Sequence, residues 1–237
     1  MKTIAKILPF MIVVLFANSC SMICKKGKGN IRTETRNLTD FDKIQIKGQA
    51  TVYLVSGLEP KVSVSIDSNL TEFIKTEVSG NKLKIFENRC LKELSEFKIL
   101  VNINRLTEIE VEGSVNLICD SVLRVDNLDL ISESSGEVKL NLDLETLDLQ
   151  SNGSGFIQLT GRANNFNLKL KSSGSVDANN LIAKNIKFNV TGAGTCEVNV
   201  TENLSGEVSS SGKLYYKGNP KKVDTNNTGT GTIRTNQ

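Results

Sequence analysis

Glycine recurs at nearly constant intervals through the second half of the chain. The intervals are 23, 19, 19, 20, 18 and 19 residues, and they separate Gly113, Gly136, Gly155, Gly174, Gly194, Gly212 and Gly231. Aliphatic residues alternate with polar ones on both sides of each glycine, as Ile157 and Leu159 do after Gly155. A period of two indicates strands with one buried face, and a unit of about 19 residues is too short to bury that face alone. The units must therefore stack on one another.

Stacking of such units predicts an all-β fold, a right-handed parallel β-helix or solenoid with coils of about 19 residues. Equivalent residues of successive coils would lie about 4.8 Å apart, and crossover sterics favour the right-handed winding. Small residues precede each glycine, for example Ser134-Ser135 and Gly153-Ser154. We expect them at sharp corners that need a positive φ or a close backbone approach. The last coil, Asn226 to Thr235, is poor in aliphatic residues and is predicted to cap the stack.

The region before the repeats has strand-like alternation but no regular period. Residues 37–112 are predicted to form a mixed, mostly β cap that is continuous with the repeat region, residues 113–237. Together they would form one domain.

Histidine and tryptophan are both absent from the 237 residues. The chain therefore cannot supply a Ser-His-Asp triad, a Cys-His pair or a histidine-containing zinc site. No cofactor is expected.

The first nineteen residues have the three parts of a secretory signal peptide, with Lys2 and Lys6 ahead of an apolar stretch from Ile7 to Phe16. Cys20 follows directly, as at the acylation site of bacterial lipoproteins. We therefore expect residues 1–19 to be removed, Cys20 to carry lipid, and residues 20–36 to form a flexible tether to the membrane. Ordinary cleavage that leaves Cys20 unmodified is the alternative.

The net charge is only +3, and it falls further if Lys2 and Lys6 leave with a signal peptide. Nothing in this balance favours a nucleic-acid partner. The expected location is the cell envelope, as an outer-membrane lipoprotein facing either the periplasm or the cell surface. A basic stretch in the tether, Lys25, Lys26 and Lys28, could lie on anionic headgroups or be a solvated spacer.

Two carboxylates, Asp129 and Asp148, occupy the same position of adjacent coils and should lie about 5 Å apart. Such a pair could hold calcium or act as the acid and base of a glycosidase. Two solvated, outward-facing carboxylates are the simpler interpretation. Polysaccharide lyases also use β-helices, so a carbohydrate-active enzyme remains an alternative by analogy of architecture.

Outward positions of the repeat carry two aromatic residues, Phe156 and Tyr215, which could contact a glycan or protein ligand. The small Ser and Gly columns could also line a glycan strip, although the corner geometry explains them without a ligand. The segment Asp120-Ser121-Val122 fits a short acceptor pattern for O-glycans and predicts modification of Ser121. Cys90 and Cys119 could form a disulfide if the fold brings them together.

Residues 37–231 also carry a resemblance to a known family. The segments concerned are Phe41 to Gly48, Val52 to Leu54, Gly57, Val62 to Leu70, Gly80 to Ile85 and Leu106 to Ser114. With the Ser-Gly coils that follow, this pattern resembles the bacterial "putative auto-transporter adhesin, head GIN domain" family. The resemblance implies a lipid-anchored or secreted envelope protein with a β-helical stack and no catalytic motif. One departure is Gln49-Ala50-Thr51, where the family often has an Asp.

These observations together predict a non-enzymatic envelope lipoprotein that presents a β-helical surface to a glycan or a protein, as an adhesin or binding module does. A structural envelope component without a specific ligand is the second hypothesis, and the carbohydrate-active enzyme is the third.

Overall fold

The structure is a computed structural model that describes residues 24–236. Within this range the chain forms eighteen β-strands and one short 3-10 turn, Thr71–Phe73. No helix there is both long enough and apolar enough to cross a membrane. The strands of the N-terminal region are β1 (Lys25–Lys26), β2 (Ile31–Asn37), β3 (Lys43–Gly48), β4 (Thr51–Ser56), β5 (Lys61–Asp67), β6 (Ile74–Ser79), β7 (Lys82–Glu87), β8 (Leu91–Lys92), β9 (Phe97–Ile103) and β10 (Glu108–Gly113). The strands of the repeat region are β11 (Asn116–Ser134), β12 (Glu137–Ser151), β13 (Phe156–Leu170), β14 (Ser175–Val190), β15 (Thr195–Val208), β16 (Lys213–Lys217), β17 (Lys222–Asn227) and β18 (Thr232–Thr235).

The repeat region is a β-solenoid whose coils stack in parallel register, as the glycine spacing predicts. Val138 pairs with Ile157, and Ile157 pairs with Val176 in the next coil. All three side chains are buried. The alternating aliphatic residues therefore form continuous columns inside the stack, and this burial is the main stabilising term of the fold.

The corners between coils bring backbone against backbone. A β-carbon on Gly194 would stand 2.1 Å from the carbonyl oxygen of Gly174, and one on Gly231 would stand 2.1 Å from that of Gly212. Of the seven periodic glycines only Gly113 has a positive φ. The other six are glycines for the second expected reason, a close backbone approach that leaves no room for a side chain.

Buried and half-buried serines link successive coils at the same corners. The hydroxyl of Ser134 donates to the carbonyl of Val115 at 3.0 Å and accepts from the amide of Gly136 at 3.0 Å. Ser172 donates to the carbonyl of Gly153 at 2.5 Å. Because each hydroxyl satisfies backbone groups that would otherwise be buried without partners, the serine columns are structural.

The stack does not begin at residue 113. Gly113 pairs in register with Gly48, and β3 and β4 form a coil that matches β10 and the start of β11. Strands β7 and β9 add a further parallel layer on the outer side of β3 and β4. The N-terminal region is therefore partly solenoid itself, and only β2, β5 and β6 form an antiparallel cap.

The order of these layers in space differs from their order in the chain. Strand β3 lies between β7 and β10, and β4 lies between β9 and β11. The first coil in sequence is therefore an inner layer of the stack.

The segment expected as a flexible tether is ordered from residue 24 onward, so that prediction is wrong for residues 24–36. Strand β1 pairs with β8, and β2 pairs antiparallel with β5. Cys24 forms a disulfide with Cys90, which excludes the Cys90–Cys119 pair that the sequence left open, since Cys119 is a buried free thiol. The expected signal peptide, residues 1–19, lies outside the described residues.

A buried carboxylate fixes the same segment to the cap. Asp67 is fully buried and accepts hydrogen bonds from the Gly29 amide at 2.5 Å and the Ser95 amide at 2.9 Å. The Ser95 hydroxyl donates to it at 3.1 Å. Burial alone would raise the pKa of Asp67, but these hydrogen bonds outweigh it and lower the pKa.

The other end of the stack is closed by β17 and β18, which pair with β15 and β16. Most residues of these two strands are exposed and polar. A polar last coil is what the sequence predicts for a capping turn, although the side chain of Val223 on β17 is 45% exposed.

Candidate binding face

One outer face of the solenoid carries a nearly continuous array of polar side chains, which we call the polar face. It consists of two outward columns on the strand segments that precede the Ser/Gly corners. The first column contains Asp129, Asp148, Asn167, Lys187, Ser205 and Asp224, and the second contains Ile131, Gln150, Lys169, Asn189, Glu207 and Asn226. Parallel pairing keeps each column in register, so its polar groups repeat at the inter-coil spacing of about 4.8 Å.

Two hollows lie on the polar face. The larger, of about 730 Å³, extends over Gly206 and is bordered by Asn167, Lys187 and Asp224. The smaller, of about 180 Å³, includes Asp129. Asp148 and Lys169 line both hollows, so they form one connected depression across several coils.

The structure brings the predicted carboxylate pair together. Asp129 is in direct register with Asp148, whose Oδ1 accepts a hydrogen bond from Nδ2 of Asn167 at 2.9 Å. Desolvation raises the pKa of Asp129, and the charges of Asp148 and Glu108 raise it further. Within residues 24–236 no group of three or more His, Cys, Asp or Glu side chains converges as a metal site would require. For the calcium hypothesis, Asp129 and Asp148 would supply two carboxylate ligands, and no third His, Cys, Asp or Glu side chain among the described residues joins them.

The carboxylates on the N-terminal side of Asp129 are neutralised by lysines of the cap. Glu108 pairs with Lys43 at 3.1 Å and with Lys82 at 2.5 Å. The hydrogen bond to Glu108 is the main cause of the raised pKa of Lys82. Among the described residues Asp129 and Asp148 form no such ion pair, although the charge of Lys43 acts on Asp129 and Lys169 lines the same hollow as Asp148.

Phe156 and Tyr215 lie on the neighbouring outer face and are not brought into one site. Phe156 is 39% exposed and borders a hollow of about 250 Å³ with Thr195 and Glu197. Tyr215 lies three coils further along in a different column, in register with Glu197 and Arg234. They could contact the same ligand only if that ligand spanned several coils.

Ser121 is exposed at an irregularity of β11, where the register with β12 shifts between Cys119 and Val122. The Cys119 thiol donates to the Ser121 carbonyl at 3.3 Å, and burial raises the pKa of that thiol. The side chain of Ser121 is accessible, and its glycosylation stays a prediction. Cys20 lies outside the described residues, so its lipidation stays a prediction as well.

A family model described as "Putative auto-transporter adhesin, head GIN domain" matches residues 40–220. The match covers both the cap and the stacked coils. The chain belongs to this family of adhesin-like GIN domains. The predicted resemblance is thus confirmed.

Solved structures agree with this assignment. A "putative adhesin" from Bacteroides fragilis is 25% identical and superposes with a TM-score of 0.86, covering 89% of this chain and 99% of the other. A "putative lipid binding protein" from Parabacteroides distasonis is 26% identical with a TM-score of 0.75, covering 90% and 99%. A "putative adhesin" from the same species, at 24% identity and a TM-score of 0.75, shows the shared fold. Among curated proteins none matches the chain.

This GIN domain has a further groove that the sequence reasoning missed. It measures about 700 Å³ at a second corner of the coils, over Leu144 and Ala163, with Arg124, Arg162 and Glu145 beside it. One signal in the sequence could have indicated it. Side chains at this position of the coil become smaller along the stack, because Leu144 pairs with Ala163 and Ala163 pairs with Ala183. Cations and carboxylates alternate along the groove, so its charges largely offset each other.

Proposed function

We propose that this GIN domain is a non-enzymatic binding module of the cell envelope, anchored to the outer membrane by lipid at Cys20, whose polar face binds an envelope glycan. The family assignment supports an adhesin-like, envelope-associated protein. The signal-like sequence before Cys20 supports the anchor.

The observation that carries the glycan proposal is the set of unused polar groups on the polar face. The side chains of Gln150, Lys169 and Lys187 make no hydrogen bond or ion pair with other described residues. Amide, ammonium and carboxylate groups together supply the donors and acceptors that sugar hydroxyls need. Their repetition at about 4.8 Å suits a long ligand that lies along the stack.

A glycan array and a pull-down from envelope extract test this proposal. The triple variant Gln150→Ala, Lys169→Ala, Lys187→Ala should lose the captured glycan. The matched control is Gln158→Ala, Lys213→Ala, Arg234→Ala, which removes one amide and two cations from the neighbouring face. Equal losses in both variants, or capture of a protein and no glycan, would contradict the choice of ligand.

The anchor is tested separately by incorporation of labelled fatty acid in the native host. Label should enter the wild-type chain and be lost in Cys20→Ala. Label that persists in the variant, or never enters the wild type, would contradict lipidation at Cys20. Cleavage by externally added protease then distinguishes a surface-facing protein from one that faces the periplasm.

The carbohydrate-active enzyme is kept as a second candidate because of one observation. The pKa of Asp129 is raised beside a second carboxylate, as in an acid–base pair. Polysaccharide turnover that disappears in Asp148→Ala would favour the enzyme over the binding module. A structural component would show neither a captured ligand nor turnover.

A further inference from the structure

Five cations surround the disulfide at the N-terminal end of the solenoid, and we call them the basic collar: Lys25, Lys26, Lys28, Arg89 and Lys92. Strand β1 lies parallel to β8, with Lys25 beside Leu91 and Lys26 beside Lys92. Residues 24–30 and 88–92 contain no acidic side chain. The collar is thus a compact positive patch assembled from two segments that are distant in sequence.

The positive charge of the collar is poorly compensated by acidic side chains of the protein. All five of its side chains are exposed. Glu93 pairs with Lys26 and also lies in the field of Lys92, while Lys28 and Arg89 have no ion pair among the described residues. Like charges directly opposite one another destabilise a strand pair, so the Lys26–Lys92 register costs stability in the isolated domain. An external anionic surface would remove that cost.

The backbone under the collar is held rigidly. The Lys25 amide donates to the Cys90 carbonyl at 2.8 Å, and the Gly27 amide donates to the Lys92 carbonyl at 3.2 Å. Nδ2 of Asn69 donates to the Lys26 carbonyl at 2.9 Å, and the Cys24–Cys90 disulfide closes the arrangement. Binding through the collar therefore requires little additional ordering of the backbone.

The collar lies close to Cys20 in the chain, and this limits its distance from a membrane to which Cys20 is anchored. Cys24 lies four positions after Cys20 in the chain. Even fully extended, this stretch spans only about 14 Å, which is less than two Debye lengths at physiological salt. With lipid on Cys20, as in the proposed function, the collar cannot be far from the headgroups.

We infer that the basic collar docks on an anionic phospholipid surface and fixes the N-terminal end of the solenoid against the membrane. The later coils, with the polar face, then project away from the bilayer. This inference rests on the proposed function only for the lipid anchor, because the positive patch itself belongs to the described structure.

Vesicle co-sedimentation tests the inference without the lipid. The chain from residue 20 onward, with Cys20→Ser, keeps every described residue. We expect it to bind vesicles that contain phosphatidylglycerol, to bind neutral phosphatidylcholine vesicles much less, and to lose binding as salt is raised. Equal binding to both kinds of vesicle, or to neither, would overturn the inference.

The decisive variant is Lys28→Gln, Arg89→Gln, Lys92→Gln, which removes three collar charges and no side-chain hydrogen bond among the described residues. At about 1 kcal/mol per basic residue near an anionic surface, its partition coefficient should fall on the order of 100-fold. The control Lys213→Gln, Lys221→Gln, Lys222→Gln removes the same charge from the last coils, where exposed lysines face away from the collar. An equal fall in the control would show a nonspecific effect of net charge and overturn the inference.

Failure here is distinguishable from failure of the proposed function. Loss of vesicle binding leaves fatty-acid labelling and glycan capture unaffected. If Cys20 is not labelled but vesicle binding is intact, the lipid anchor is contradicted and membrane docking by the collar is supported.

Discussion

Gly155 lies so close to Gly136 that a β-carbon on Gly155 would stand 2.2 Å from the Gly136 carbonyl oxygen and 2.7 Å from that of Ser134. Both obstacles are backbone atoms of the preceding coil, so no rotamer change can relieve the contact. We expect Gly155→Ala to force the coils apart and destabilise the domain by about 3 kcal/mol. Thermal unfolding measures the loss. Ser154→Ala, at an exposed position of the same corner, should change the melting temperature little.

The Cys24–Cys90 disulfide closes a sequence separation of 66 residues around the cap. On the loop-entropy account its removal should cost about 4 kcal/mol, because the unfolded chain regains that freedom. Denaturant titration of the Cys24→Ser, Cys90→Ser double variant checks the value. A reducing agent should destabilise the wild type and leave the double variant unchanged. An equal loss in both would show that the reducing agent acts independently of the Cys24–Cys90 disulfide and would contradict this prediction.

Asp67 should make stability fall in acid. Its folded pKa lies below the unfolded value, because hydrogen bonds from Gly29 and Ser95 outweigh the opposing effect of burial. Its contribution is therefore complete above the unfolded pKa of about 4 and is lost as the pH falls through the folded pKa. Asp67→Asn should cost about 2 kcal/mol at neutral pH and show a weaker decline in acid.

The same titration of unfolding free energy against pH should distinguish Asp67 from Asp40, an exposed carboxylate used as the control. Identical pH profiles for Asp67→Asn and the wild type would contradict the role given to Asp67.

The contribution of Asp129 to stability should change with pH in the direction opposite to that of Asp67. Desolvation, Asp148 and Glu108 raise its folded pKa, so the ionised side chain destabilises the folded state. Relative to Asp129→Asn, the wild type should lose stability as the pH rises above about 4. At neutral pH we expect the variant to gain about 0.5 kcal/mol, and less at high salt. Asp126→Asn is the matched control, and an equal gain there would exclude a specific Asp129–Asp148 effect.

The sequence predicts the repeat region well because its columns are periodic. The spacing that predicts a Val138–Ile157–Val176 column also determines the register of Asp129 with Asp148. It does not predict why Gly155 must be glycine, since that depends on the distance between coils.

The cap is harder to predict because its contacts join segments far apart in the chain. Nothing local in Lys25 or Cys24 indicates pairing with residues 90–92, and a short polar segment with three lysines is typical of a tether. The basic collar and the buried Asp67 both depend on these non-local contacts. Sequence periodicity carries no information about them.

The inner position of β3 and β4 has a consequence for biogenesis. Their lateral neighbours, β7 with β9 and β10 with β11, are synthesised later, so one edge of the first coil stays open until residue 103 has emerged and the other until residue 118 has emerged. Formation of this block requires long-range contacts and is expected to limit the folding rate. Each later coil then pairs with a coil that has already formed, and the stack can grow coil by coil toward the C-terminus. Pulse-labelled hydrogen exchange should accordingly show protection in β3 and β10 before β15.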